Sequence, residues 1–165
     1  MNSGEKKLYG RALRFLARKN HSRLELRRKL VRSSPSEPVD KILDLLEEKG
    51  FLNDQVFALE RALLVRERRL WGNFRVSQDL KSLGIDAKMI DQVLGQVNQK
   101  KGETESLQEA IELWVNRSGQ PQTPRPLKKL YDRCIRLGYA PHLVRQQLAP
   151  YFDQIDWSRE DENGR

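Results

Sequence analysis

The chain reads as an all-α protein assembled from repeats, and three observations lead there. Apolar residues recur at spacings of three and four, and no stretch alternates as a half-buried strand would. Gly and Pro divide the 165 residues into segments of about 10 to 17. LGIDAKMIDQVL at 83–94 also matches LGYAPHLVRQQL at 137–148, sharing Leu, Gly, an apolar residue, an apolar pair and a final Leu at the same offsets. Eight and four residues before each Gly stand Val76 and Leu80 in one copy, Leu130 and Cys134 in the other.

Taken in order, the expected helices span 6–19, 22–32 and 38–49, then 54–70, 73–83 and 87–97, then 104–117, 126–137 and 141–152. Ser22-Arg23-Leu24-Glu25 has the form of a capping box, so a helix should begin there. Pro38 and Pro126 suit first-turn positions, where the missing amide costs nothing. Residues 57–70 place Phe57, Leu59, Ala62, Leu63, Leu64, Val65 and Leu70 around most of the cylinder, and such a helix is covered on most sides. Ala12-Leu13 and Ala62-Leu63 lie 50 residues apart, as do Leu30 and Leu80. Three tandem three-helix modules follow, at 6–52, 53–98 and 103–152, stacked in a row, with an acidic and disordered tail at 153–165.

Lys and Arg number 31 against 23 Asp and Glu, a net charge of +8 that suits an acidic partner such as nucleic acid. The charge is local. Residues 1–34 alone carry eleven Lys and Arg against two Glu. At 100° per residue, Lys7, Arg11, Arg14 and Arg18 share one arc of the first helix, opposite Leu8, Ala12, Leu13, Phe15 and Leu16. Arg28, Lys29 and Arg32 form the polar side of the second helix. Arg66, Arg68, Arg69 and Arg75 bracket Trp71-Gly72, and Arg125, Lys129, Arg133 and Arg136 make a further stripe. Any one stripe could be a solvated face, but three basic zones, one in each module, suit an extended partner. These fifteen residues are the candidate contacts to partner or nucleic acid.

Catalytic signatures are missing. His21 and His142 have no partner at metal-ligand spacing, and the glycines stand singly at helix ends rather than in a phosphate-binding loop. Glu47 and Glu48 sit beside Lys49 on a polar surface. Cys134 is the only cysteine and lies between Leu130 and Leu137 at helical spacing, so it should pack as a small hydrophobe. Hence no enzyme, metal or cofactor is expected. No apolar run approaches the ~20 residues of a membrane span, and MNSGEKKLYG lacks the core of a secretory signal, which predicts a cytoplasmic protein.

HSRLELRRKL at 21–30, KGFLNDQVFA at 49–58 and WGNFRVSQDLKSLGI at 71–85, in this order and spacing, resemble the RecX family of bacterial recombination regulators. The resemblance runs from about residue 8 to 152 and includes IRLGY at 135–139. The Pro-rich stretch NRSGQPQTPRP at 116–126 is longer than the family pattern. The resemblance implies a curved, elongated array that lies in the helical groove of the RecA filament, and a monomer is the expected state. There it would inhibit ATPase, strand exchange and co-protease activity, within the SOS response and DNA repair. A DNA-binding protein that uses the same basic faces without RecA is the other reading.

Overall fold

In the computed structural model, which describes residues 1–34, 38–155, 157 and 158, nine helices occur and no strand among those residues. They are α1 (Ser3–Leu16), α2 (Arg23–Ser33), α3 (Val39–Glu48), α4 (Asp54–Arg69), α5 (Asn73–Ser82), α6 (Ala87–Lys100), α7 (Glu103–Ser118), α8 (Pro124–Arg136) and α9 (Pro141–Phe152). The all-α expectation holds.

Helix ends follow local chemistry. At α1, Asn2 accepts the Glu5 amide and the Glu5 carboxylate accepts the Asn2 amide, each at 2.8 Å. This capping box starts the helix three residues earlier than expected. The α1 ladder then closes early, because the Arg18 and Lys19 amides both turn back to the Phe15 carbonyl and the His21 ring nitrogen Nδ1 takes the Lys19 carbonyl at 2.8 Å. Arg18 therefore lies beyond the helix, a correction to the four-residue stripe. The box at Ser22 and Glu25 forms as expected. Pro38 sits at the N-cap of α3 rather than inside its first turn. Helix α8 begins at Pro124, after an extended Thr123 that the following proline favours.

The chain divides into two compact units, Met1–Ala62 with Asp79–Val93, and Leu63–Gln78 with Leu94–Arg165. In the first, Leu8, Ala12, Leu26, Leu30, Val39, Ile42, Leu43, Leu46 and Leu52 form one buried cluster. In the second, Leu107, Ile111, Leu127, Leu130, Cys134, Tyr139, Val144, Leu148 and Ile155 do so. Ile155 extends this core past Phe152, and Trp157 stacks on Phe152 with centroids 6.2 Å apart. The remaining tail positions, 156 and 159–165, lie outside the described residues.

The same pair of contacts occurs in each unit. An acidic residue opening one helix caps the amide that opens another: Asp54 accepts from the Arg23 amide at 2.7 Å, and Glu103 from the Asn73 amide at 2.7 Å. The turn glycine of the repeated LG motif then packs beside that capped end. In the first unit Ser22 Oγ donates to the Leu83 carbonyl at 2.7 Å, and a Cβ on Gly84 would fall 2.7 Å from Leu24 Cβ. In the second the Gly72 amide donates to the Leu137 carbonyl at 2.8 Å, and a Cβ on Gly138 would fall 2.4 Å from Arg75 Cβ. Glycine is needed at 84 and 138 on two grounds, since both have positive φ and no room for a side chain.

Candidate partner-binding faces

Helices α1 and α2 form the basic face of the first unit. Acids on α3 take one side of α2: Arg23 binds Asp44 and Glu47, each at 2.6 Å, and Arg27 binds Asp40 at 2.9 Å. The other side keeps its charge. Arg28, Lys29 and Arg32 are exposed there and line a cleft of about 410 Å³ with Phe15, Glu25 and Ser33. The Lys29 ammonium lies 5.1 Å from the Phe15 ring centroid, a cation–π distance. Phe15 stands one turn after Arg11 and so borders the basic arc, although the sequence reading assigned it to the apolar side alone. Lys7, Arg14 and Arg18 are exposed. Arg11 is not: its guanidinium bonds the Ser33 carbonyl at 3.0 Å and Ser34 Oγ at 3.1 Å, closing the C-terminus of α2.

The second unit carries the other two basic groups, and the one around Trp71 is mostly structural. Arg66 is 1% exposed. Its Nη2 donates to the side-chain oxygens of Asn73 and Asn98, while Asn73 in turn bonds Glu103. Burial pulls its pKa below the ordinary arginine value, opposed by Tyr139 and Glu103. Arg66 is therefore withdrawn from any surface, contrary to expectation. Arg69 and Arg75 lie over the Trp71 ring at 5.2 and 4.5 Å, and Arg75 also donates to the Arg136 carbonyl at 2.7 Å. Of the four, Arg68 alone stands exposed without a partner of this kind. On α8, Lys129, Arg133 and Arg136 are exposed, and Arg125 has a partner within the chain. Arg133 borders a hollow with Leu113, Trp114, Asn116 and Arg117.

Other polar groups serve the interior. Cys134 is buried and its thiol is pushed up to about 11 by desolvation, so it stays protonated. The His21 ring is buried, and desolvation holds its pKa below the ordinary value. Among the described residues no group of three or more His, Cys, Asp and Glu could hold a metal, and no helix is long and apolar enough to cross a membrane.

The described residues are thus all-helical, with exposed cations on both units. The regulatory protein RecX of Leptothrix cholodnii is 33% identical over 150 residues, covering 89% of this chain and 90% of its own length. That of Ralstonia pickettii is 38% identical over 115 residues, 69% of this chain and 68% of its own. The crystal structure of RecX from Lactobacillus salivarius superposes with a TM-score of 0.78 at 18% identity, covering 92% of this chain and 99% of that one. No protein-family model matches the sequence. The chain belongs to the RecX family of regulatory proteins.

Proposed function

We propose that this protein regulates RecA by binding the RecA nucleoprotein filament, in its helical groove, and that binding inhibits ATPase, strand exchange and co-protease activity. Family membership supports the regulatory role. The observation that carries the contact is the α1–α2 face, where Arg14, Arg28, Lys29 and Arg32 remain exposed after the acids on α3 have taken Arg23 and Arg27. Lys129, Arg133 and Arg136 on α8 supply a second contact.

The chain acts without turnover, metal or cofactor, as a cytoplasmic monomer. Its three-helix modules at 6–52, 53–98 and 103–152 are the units that meet the partner in succession. Each contact made raises the effective concentration for the next. Holding neighbouring subunits in one relative orientation is enough to slow a cycle in which they must move.

A RecA ATPase titration on single-stranded DNA tests this reading. Inhibition that saturates with added protein, at ratios well below the number of DNA phosphates, is expected. Binding to DNA that depends steeply on salt, with ATPase unaffected once DNA is in excess, would favour the DNA-binding alternative.

A further inference from the structure

In the second unit, helices α8 and α9 together with Trp157 line a cleft of about 390 Å³ away from the stripes described above. Its walls are aromatic: Tyr131 from α8, Phe152 at the end of α9, and Trp157, with Leu127 also lining it. The Phe152 and Trp157 rings are close to parallel, with an interplanar angle of 18°, and Trp157 is 60% exposed. Aromatic surface gathered in a cleft and left in solvent marks a candidate ligand-binding groove, whereas a singly exposed ring would not.

Lys128 of α8 and Arg145 of α9, with Pro124, complete the lining, and the two cations bear on what the cleft can hold. Both are exposed, and neither forms an ion pair among the described residues. The two helices between them carry six Lys and Arg against the single acid Asp132. From this juxtaposition we infer that the cleft is a stacking site for a base of single-stranded nucleic acid, with Lys128 and Arg145 meeting the flanking phosphates.

The chemistry selects this ligand over others. Aromatic faces flanked by cations hold an unpaired base and its backbone together, without regard to sequence, because every base has a π-face. In a duplex the bases are already stacked on one another, so a duplex offers the cleft nothing but phosphate. An apolar peptide side chain could enter the cleft but would leave both cations unused. The inference does not depend on the filament reading, because it concerns nucleic acid on the protein alone.

The test uses the full chain, without RecA, and an oligo(dT) of about 15 nucleotides, near the upper site size of single-strand-binding folds. Competitors are an abasic oligomer of equal length and a blunt duplex. Oligo(dT) should quench tryptophan emission where the abasic oligomer does not, and the quench should be absent from Trp157→Leu. That variant should bind oligo(dT) roughly tenfold more weakly. Lys128→Gln with Arg145→Gln should flatten the salt dependence. Melting curves of the variants establish that they fold. Equal binding of oligo(dT) and the abasic oligomer, unchanged by Trp157→Leu, would overturn the site. So would a Trp157→Leu protein that binds oligo(dT) normally yet loses inhibition of RecA, since the cleft would then serve a protein.

Discussion

Buried polar residues show how position decides what a charged or titratable group does here. The Lys19 carbonyl can only accept, so His21 Nδ1 carries the proton and Nε2 is left bare, buried and without a partner. A second proton on Nε2 would have nothing to donate to, and burial, with Lys29 and Lys19 nearby, disfavours the cation. The unfolded chain binds that proton at the ordinary value of 6.5, and the folded one only at lower pH. Stability should therefore be complete above about pH 6.5 and fall as the pH drops below it. Thermal melts across this range should show the loss in the native protein and a shallower slope in His21→Leu. Cys134 works on the alkaline side. Its folded value near 11 exceeds the ordinary 9.0, so stability falls as pH rises above about 9. Cys134→Ala should remove that slope, lower stability by roughly 1 to 2 kcal/mol at neutral pH, and leave RecA inhibition unchanged. Loss of inhibition in a folded variant would give the thiol a role beyond packing.

Elements were legible in the sequence to different degrees, and each gap has a physical cause. The nine helices among the described residues follow from apolar spacing, and the Ser22 box from four residues, because both signals are local. The Asn2–Glu5 box is equally local, but it lies ahead of the first apolar position of α1, so apolar spacing alone does not reach it. Arg66 is more instructive, for residues 57–70 read as apolar around most of the helix, so some of its polar positions must be enclosed, yet nothing local says that Arg66 is buried while Arg68 in the same helix is exposed. What the sequence could not convey is the partner that encloses it: Asn98, Tyr139 and Glu103 are distant in the chain and meet only in the fold. Arg69 and Arg75 flank Trp71 in sequence, but that they cover its ring is a tertiary fact. The repeated LG turns make a sharp test at this scale. Gly138→Ala forces a side chain into a positive φ and against Arg75, which should cost roughly 2 to 4 kcal/mol. Gly95, exposed within α6 with nothing within 4 Å of an added Cβ, should respond oppositely, Ala stabilising by about 0.5 to 1 kcal/mol. Chemical denaturation of the two variants side by side measures both signs.

At the scale of the whole molecule, net charge is a poor guide to binding, because many of the cations are already committed to the fold. Arg11 ties α1 to the Ser33 carbonyl and the Ser34 hydroxyl at the end of α2, Arg23 and Arg27 join α2 to α3, and Arg61 pairs with Asp79 at 2.8 Å. A partner meets what is left. On the first unit that includes Arg14, Arg28 and Arg32, which are exposed and make no ion pair among the described residues. Reversing these three to Glu should leave the melting temperature within a few degrees of the native value, since surface charges of this kind contribute about 0.5 kcal/mol or less each. Inhibition of RecA should nevertheless weaken at least tenfold at low salt, and the deficit should shrink as ionic strength rises, because attraction has become repulsion across a screened contact. Arg11→Glu is the internal control. It removes hydrogen bonds to Ser33 and Ser34 and places a negative charge at a helix C-terminus, so it should lower stability by roughly 1 to 3 kcal/mol while inhibition per folded molecule changes less than in the triple variant. Both variants are read by thermal melting and by RecA ATPase over one salt series. If the triple variant inhibits normally at every salt concentration, the α1–α2 face is not the docking surface, and the exposed cations of α8 must carry the contact.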